Sequence, residues 1–221
     1  MLATKFGIGP GGGGSRDYVR RAIDASLERL RTDHVDLFYY HRPDGVTPLS
    51  ETMSALSELV EEGRVREIGV SNVDATQLAE AAAATRVAAV QNEYSLLNRA
   101  AEADVLPLCR KLGIGFVPYF PLAHGLLTGK YRRDEPPPAG SRLEGDDDRR
   151  SDEKLERVER LEAFAVERGR TLLELAIGAT ASEPAVASVI AGATKPEQVR
   201  ANAAAGEWEP SAAERDALRR L

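Results

Sequence analysis

Apolar residues run along the chain in two rhythms. Short stretches rich in β-branched and aromatic residues alternate with longer ones whose apolar positions recur every three or four residues. The first pattern suits buried strands and the second amphipathic helices. The strand candidates are LATKFG (2–7), VDLFYYH (35–41), REIGVSN (66–72), AAVQNEYS (88–95), GIGFVPYFPL (113–122) and VASVIAGAT (186–194). VDLFYYH has the near-continuous apolar character of a parallel strand buried on both faces. Between the candidates, Ser15 is placed to cap a helix through Val19, Ile23, Ser26, Leu27 and Leu30. Thr47 or Ser50 opens a second, through Leu56, Leu59 and Val60, which Gly63 ends. Asp74 caps an alanine-rich helix over 75–84, and another closes near 112–113. Further helices are expected at about 152–169 and 171–182, from Pro196, and after Pro210. Strict alternation of β and α predicts an α/β fold, a parallel sheet with helical cover. Spacing alone does not decide between an open doubly wound sheet and a barrel.

Size and charge narrow the function classes. At 221 residues the chain can bury a sizeable core and reads as a single domain over 1–221. Its net charge is -6, with both signs spread along the length, whereas a nucleic-acid footprint needs a concentrated basic face. The densest charged stretch, GDDDRRSDEK from Gly145, mixes both signs and reads as a solvated loop leading into a helix. No apolar run approaches the roughly 18 residues of a membrane span, and MLATKFG lacks the basic and long apolar regions of a signal peptide. Cys109 is the one cysteine, which excludes an internal disulfide and fits a reducing cytoplasm. No metal site is read from the sequence, and nothing in it indicates an oligomeric state.

Polar residues collect at the carboxyl ends of the strand candidates: Lys5, His41, Ser71, Asn72, Gln91, Asn92, Tyr119, Thr194 and Lys195. Both sheet architectures build their active sites there. Strand alternation sends Tyr39 and His41 to one face and Tyr40 to the other. His41 is either a hydrogen-bonded core residue or half of a pair with Lys5, which adjacent parallel strands would place side by side. Such a pair can orient a proton donor or polarise a carbonyl oxygen. Ser71 and Asn72 also fit as ordinary helix caps, whereas an inward Gln91 amide needs a partner. Tyr119 is a rim aromatic or a flat surface for a heterocycle. The glycine run at 9–14 superficially suggests a dinucleotide fingerprint, but no acidic residue sits at a convincing ribose position, and it reads as a plain flexible loop.

The segments TKFG, SLERLRTDHVDLFYYHRPD, SELVEEGRVREIGVSN, VQNEYSLLNR, PYFPLAHGLLTGKY and VIAGATKPEQVRAN, in this order and spacing, resemble the aldo-keto reductase family from the first residues to the last helix. The resemblance implies a (β/α)8 TIM barrel that binds NADPH (or NADP+) across its C-terminal mouth. It also implies hydride transfer between the nicotinamide and an aldehyde or ketone. Lys5 matches the family's catalytic lysine and His41 its catalytic histidine. Ser71, Asn72 and Gln91 match the residues that hold the nicotinamide carboxamide, and Tyr119 the aromatic under its ring. Phe120, Leu122 and the loop to Lys130 match the segment over the pyrophosphate, and Arg142 a second contact in the long loop. Gly192, Thr194, Lys195, Gln198 and Asn202 match the adenosine end, where Lys195 favours a 2′-phosphate and hence NADPH over NADH. Phe120 stands where the family commonly has serine, and Ala201 where an acidic adenine contact is frequent.

The family's catalytic set also includes an aspartate and a proton-donating tyrosine before the TKFG strand, which here begins at Thr4. The expectation is therefore a barrel truncated at the N-terminus to about six β/α units, lacking two units of roughly 60–70 residues in all. General acid catalysis contributes about 10²–10⁴-fold, so the chain alone is expected to be inactive or weak. Three accounts follow: a piece of a full reductase, a catalytically inactive NADPH-binding or regulatory relative, or an open-sheet dehydrogenase of another class. The missing fingerprint disfavours the third.

Overall fold

The computed structural model describes residues 1–8 and 13–221, so the reading of the glycine run falls outside the described residues except at Gly13 and Gly14. These residues divide into two compact units, Met1–Asn92 with Ala101–Val117, and Glu93–Ala100 with Pro118–Leu221.

The first unit holds a parallel sheet whose strands lie in chain order: β1 (Ala3–Phe6), β2 (Val35–Tyr40), β3 (Val65–Ser71), β4 (Ala89–Gln91) and β5 (Gly115–Phe116). Its helices are α1 (Arg16–Leu30), α2 (Leu49–Glu61), α3 (Ala75–Ala84) and α4 (Val105–Leu112). Alternation along the strands sorts the side chains. Phe6, Phe38 and Tyr40 share one face, with Phe6 stacked on Phe38 at 4.5 Å and on Tyr40 at 5.3 Å. Leu37, Tyr39, Ala89 and Val117 form a separate cluster on the other. The helices bury Val19, Ile23, Met53, Leu56, Leu59, Leu78 and Leu106, each fully, at about 1.5–3 kcal/mol apiece for side chains of this size.

Caps set the helix ends. Ser15 accepts from the Tyr18 amide, and Asp74 with Gln77 forms a complete capping box. Gly113 ends α4 in the left-handed conformation. The expected cap of α2 by Thr47 or Ser50 is not found: Pro48 is the N-cap residue and no side chain caps the helix. Thr47 is already engaged, its amide and hydroxyl both bonding Asp44 at 2.8 and 2.9 Å. The end of the glycine run also departs from a plain flexible loop. The Gly14 amide donates to Asp44 at 3.0 Å and its carbonyl accepts from the Thr52 hydroxyl at 2.8 Å. A Cβ on Gly14 would lie 2.8 Å from the Tyr40 hydroxyl, so only glycine fits.

The second unit is helical: a 3₁₀ segment (Ala123–Thr128), α5 (Asp152–Val166), α6 (Leu172–Ala181), α7 (Pro196–Ala205) and α8 (Ala212–Leu218). Its core gathers Leu126, Leu127, Tyr131, Leu143, Leu155, Val158, Leu161, Leu175 and Ala176. Capping boxes at Thr171 with Glu174 and at Ser211 with Glu214 start α6 and α8, and Pro196 occupies the first turn of α7. The charged stretch from Gly145 forms turns that lead into α5 as expected.

Six strands were expected; five form among the described residues. The sixth candidate contributes one bridge, Ile190 with Tyr119, closed by the Ile190 amide on the Pro118 carbonyl at 3.0 Å. Pro118 and Pro121 flank Tyr119, and neither has an N–H to extend a ladder. The same prolines hold the fifth strand to two residues instead of the ten expected. Among the described residues no helix is long and apolar enough to cross a membrane, and no group of three or more acidic, histidine or cysteine side chains could hold a metal ion.

Candidate functional site

In the first unit, the ends of β1 to β4 bring Lys5, His41, Ser71, Asn72 and Gln91 together. The expectation that Lys5 and His41 lie directly side by side needs correcting. The β1–β2 register sets Lys5 opposite Tyr39 and Phe6 opposite Tyr40. His41 stands one step beyond, its amide on the Phe6 carbonyl at 2.8 Å. The pair still interacts. Burial first, then the charges of Lys5 and Arg42, hold the His41 imidazole below its ordinary pKa. Burial also lowers the Lys5 ammonium. His41 is thus neutral at neutral pH, a hydrogen-bonding group next to a cation.

Lys5 Nζ donates to Gln91 Oε1. Gln91 is itself buried, at 6% exposed. The Ser71 hydroxyl donates to the Gln91 carbonyl at 2.6 Å. The Asn72 amide donates to the His41 carbonyl at 2.9 Å and to Ser71 Oγ at 3.1 Å. Asn72 adopts a left-handed φ of 56°, a conformation asparagine tolerates better than most residues. Asn92 ties the next turn, exchanging bonds with the Val73 backbone at 2.7 and 3.3 Å. The Lys5, Ser71, Asn72 and Asn92 side chains are thus held by bonds to neighbouring segments, and His41 through its backbone.

The second unit holds the other expected residues in two groups. Tyr119 packs edge-on against Phe120 at 5.1 Å, and the Arg142 guanidinium lies 5.2 Å from the Phe120 ring. Phe120 has a φ of 56°, and Ala123 and His124 also lie in the left-handed region. Such strain in bulky residues persists only where the surroundings enforce it. Leu122 precedes the 3₁₀ segment, and Lys130 follows it, with its ammonium 5.0 Å from the Tyr131 ring. At the start of α7, the Thr194 amide and hydroxyl both bond Gln198 Oε1, at 2.7 and 3.2 Å, and Asn202 reaches the Gly192 carbonyl at 3.4 Å. Lys195 is the exposed N-cap residue of α7 and makes no side-chain cap bond. A helix start with a cation beside it suits an anion.

The structure adds three residues to those expected at the sites. Tyr39 is part of the Lys5–Gln91 cluster. Gly69 lies against it, because a Cβ there would overlap the Tyr39 ring. His124 packs on Phe120 at 4.1 Å and lines a cavity of about 350 Å³ with Ser95, Asn98, Arg149 and Lys154. Strand alternation had pointed to the face of Tyr39; the other two carried no signal.

A lysine, a histidine and three amides or hydroxyls gather at consecutive parallel strand ends, the edge at which parallel β/α folds build their sites. The Aldo/keto reductase family model matches residues 1–221, and the chain belongs to that family. It is 37% identical over 196 residues to the NADH-specific methylglyoxal reductase of Escherichia coli (strain K12), covering 86% of this chain and 60% of that one. It is 40% identical over 219 residues to a probable voltage-gated potassium channel subunit beta of Arabidopsis thaliana, covering 91% and 66%. Among solved structures, the glycerol dehydrogenase AKR11B4 from Gluconobacter oxydans superposes with a TM-score of 0.87 at 28% identity, covering 99% of this chain and 70% of that one. The fold class is thus α/β, of the aldo-keto reductase TIM-barrel type. The chain spans about 60% to 66% of the length of these curated relatives.

Proposed function

We propose that this chain carries the cofactor-binding and carbonyl-polarising part of an oxidoreductase that moves a hydride between NADPH and an aldehyde or ketone. The observation that carries the reading is the cluster of Lys5, His41 and Gln91 at the ends of β1, β2 and β4. The donor chemistry fits the cofactor. With one oxygen lone pair engaged by Lys5, Gln91 keeps the acceptor-and-donor edge of an amide, which a primary carboxamide complements. Ser71 and Asn72 hold the Gln91 and His41 backbones in place. The bound cofactor supplies the hydride. Lys5 and neutral His41 polarise and hydrogen-bond the substrate oxygen. Tyr119 offers a flat ring, Phe120, Leu122, Lys130 and Arg142 cover the pyrophosphate, and Gly192, Thr194, Gln198 and Asn202 hold the adenosine. Lys195, exposed beside the start of α7, pairs with a 2′-phosphate and favours NADPH. The E. coli relative's NADH specificity makes this the finer point to test. The single cysteine accords with work in the cytoplasm.

A second reading is a regulatory relative that binds NADPH without turnover. The likeness to proteins named as probable potassium channel β subunits favours it. One experiment separates the two: titration with NADPH and NADH followed by fluorescence, then oxidation of the bound nicotinamide by nitrobenzaldehyde. Binding with turnover supports the enzyme, and binding without turnover the regulatory relative. Absence of binding to either dinucleotide overturns both.

A further inference from the structure

The second unit contains a cavity of about 350 Å³ that the proposed chemistry does not use. Three segments of that unit line it: the turn of Ser95 and Asn98, the 3₁₀ segment at His124, and the stretch from Arg149 to Lys154. None of its polar side chains is among those read as holding the dinucleotide.

Its wall is rich in hydrogen-bond donors that lack acceptors. Ser95 is 1% exposed, and its Oγ accepts from the Leu97 and Asn98 amides at 3.2 and 3.1 Å. Both lone pairs are then engaged, and among the described residues the O–H finds no acceptor of its own. A buried donor in that state is unfavourable until something supplies the acceptor. Asn98 directs its Oδ1 to the Ala100 amide at 3.3 Å, which leaves its NH₂ to donate. Lys154 uses one of three ammonium donors on the Asp148 carbonyl at 3.1 Å, and Arg149 pairs with Asp146 through one end of its guanidinium. The only carboxylate among the lining residues is Glu93.

His124 borders the same space with a left-handed φ of 58°, its ring against Phe120 at 4.1 Å. Burial lowers its pKa first, then the charges of Arg149 and Arg142, against the smaller effects of Glu93 and Asp146. The field at the imidazole is therefore positive. Leu97, Ala123 and Leu126 complete the wall with apolar surface. A volume of this size suits a small molecule better than a bare ion.

We infer that this cavity binds a small organic anion. Its phosphate or carboxylate group accepts from Ser95, Asn98, Arg149 and Lys154, and its uncharged part rests on Leu97, Ala123 and Leu126.

The test is a titration of the whole chain with butyl phosphate and with butyrate at fixed ionic strength, with butanol as the uncharged control. NMR follows the imidazole of His124, one of three histidines, assigned by its loss in His124→Gln. At least one anion is expected to move the His124 signals saturably, with a Kd of about 0.1–10 mM. It should also raise the His124 pKa, since an anion beside the ring favours the imidazolium. His34, His41 and the butanol titration stay unmoved. Saturation by butyl phosphate alone assigns a phosphate ligand, and by butyrate alone a carboxylate. Arg149→Gln with Lys154→Gln, both at exposed positions, is expected to weaken binding at least tenfold, and Ser95→Ala about tenfold. If Ser95→Ala does not fold, the double variant decides. Absence of saturation with both anions overturns the site, and so does undiminished binding by the double variant. NADPH added to the anion complex separates the site from the cofactor reading. Displacement of the anion from His124 overturns an independent site, and retention upholds it whether or not the chain binds the dinucleotide.

Discussion

The two units hold their candidate residues by different means. In the sheet unit, Lys5, His41, Ser71, Asn72 and Gln91 end strands whose backbones are bonded to neighbours on both sides from β2 to β4, so each side chain inherits its place from a ladder. In the helical unit, Thr194, Gln198, Asn202 and Gly192 are held by bonds among themselves around one helix start, and residues 191–201 are almost all exposed. The ladder suits groups that must meet a reacting atom within fractions of an ångström. The local turn suits a grip on a charged, solvated phosphate, where Coulomb attraction tolerates looser placement.

That contrast can be broken from the sheet side first. Lys5→Met removes the half-buried cation and is expected to lower turnover by about 10²–10³-fold, with a much smaller loss of NADPH affinity through its bond to Gln91. Steady-state kinetics beside a binding titration check it. Core packing should show the same asymmetry. Leu56→Ala, fully buried in α2, is expected to cost about 2–5 kcal/mol in denaturant unfolding. Val199→Ala in α7, where the side chain is 57% exposed, should stay within about 0.5 kcal/mol.

On the helical side, Lys195→Ala should weaken NADPH about tenfold and leave NADH unchanged, in parallel titrations of the two dinucleotides. A further effect, confined to acid pH, concerns Asp44, which holds the loop between β2 and α2. Burial pushes its carboxyl up, but amide bonds from Val46, Thr47 and Gly14 and the Thr47 hydroxyl outweigh it and bring it from 3.8 to about 2. A pKa depressed by folding stabilises the fold fully above the unfolded value and loses that contribution as pH falls through the folded one. Stability should therefore decline between about pH 4 and pH 2, and Asp44→Asn should flatten that slope in unfolding curves taken across the range.

Much of the sheet unit was legible because its signals are local and redundant. VDLFYY reads as a strand by composition alone, Ser15 and Asp74 by capping chemistry, and Lys5, His41 and Gln91 by their place at strand ends. The β1–β2 register was not legible, since a slip of two residues keeps every side chain on its face and is invisible in a run as uniformly apolar as 35–40, and so Tyr39 rather than His41 faces Lys5. The sixth strand failed for a reason the sequence did contain. VASVI has strand composition, but its partner segment is flanked by Pro118 and Pro121, and pairing stops at one bridge. Gly69 and the left-handed Phe120, Ala123 and His124 depend on tertiary surroundings that no local pattern encodes.

The central claim, a sheet site for the nicotinamide end and a helix-start site for the phosphate end, is tested most directly by residue-resolved hydrogen–deuterium exchange with and without NADPH. The account predicts added protection at both places, around 71–72 and 91 in the sheet unit and across 192–202 in the helical one. Protection at one place alone, or at neither with NADPH bound, would contradict it.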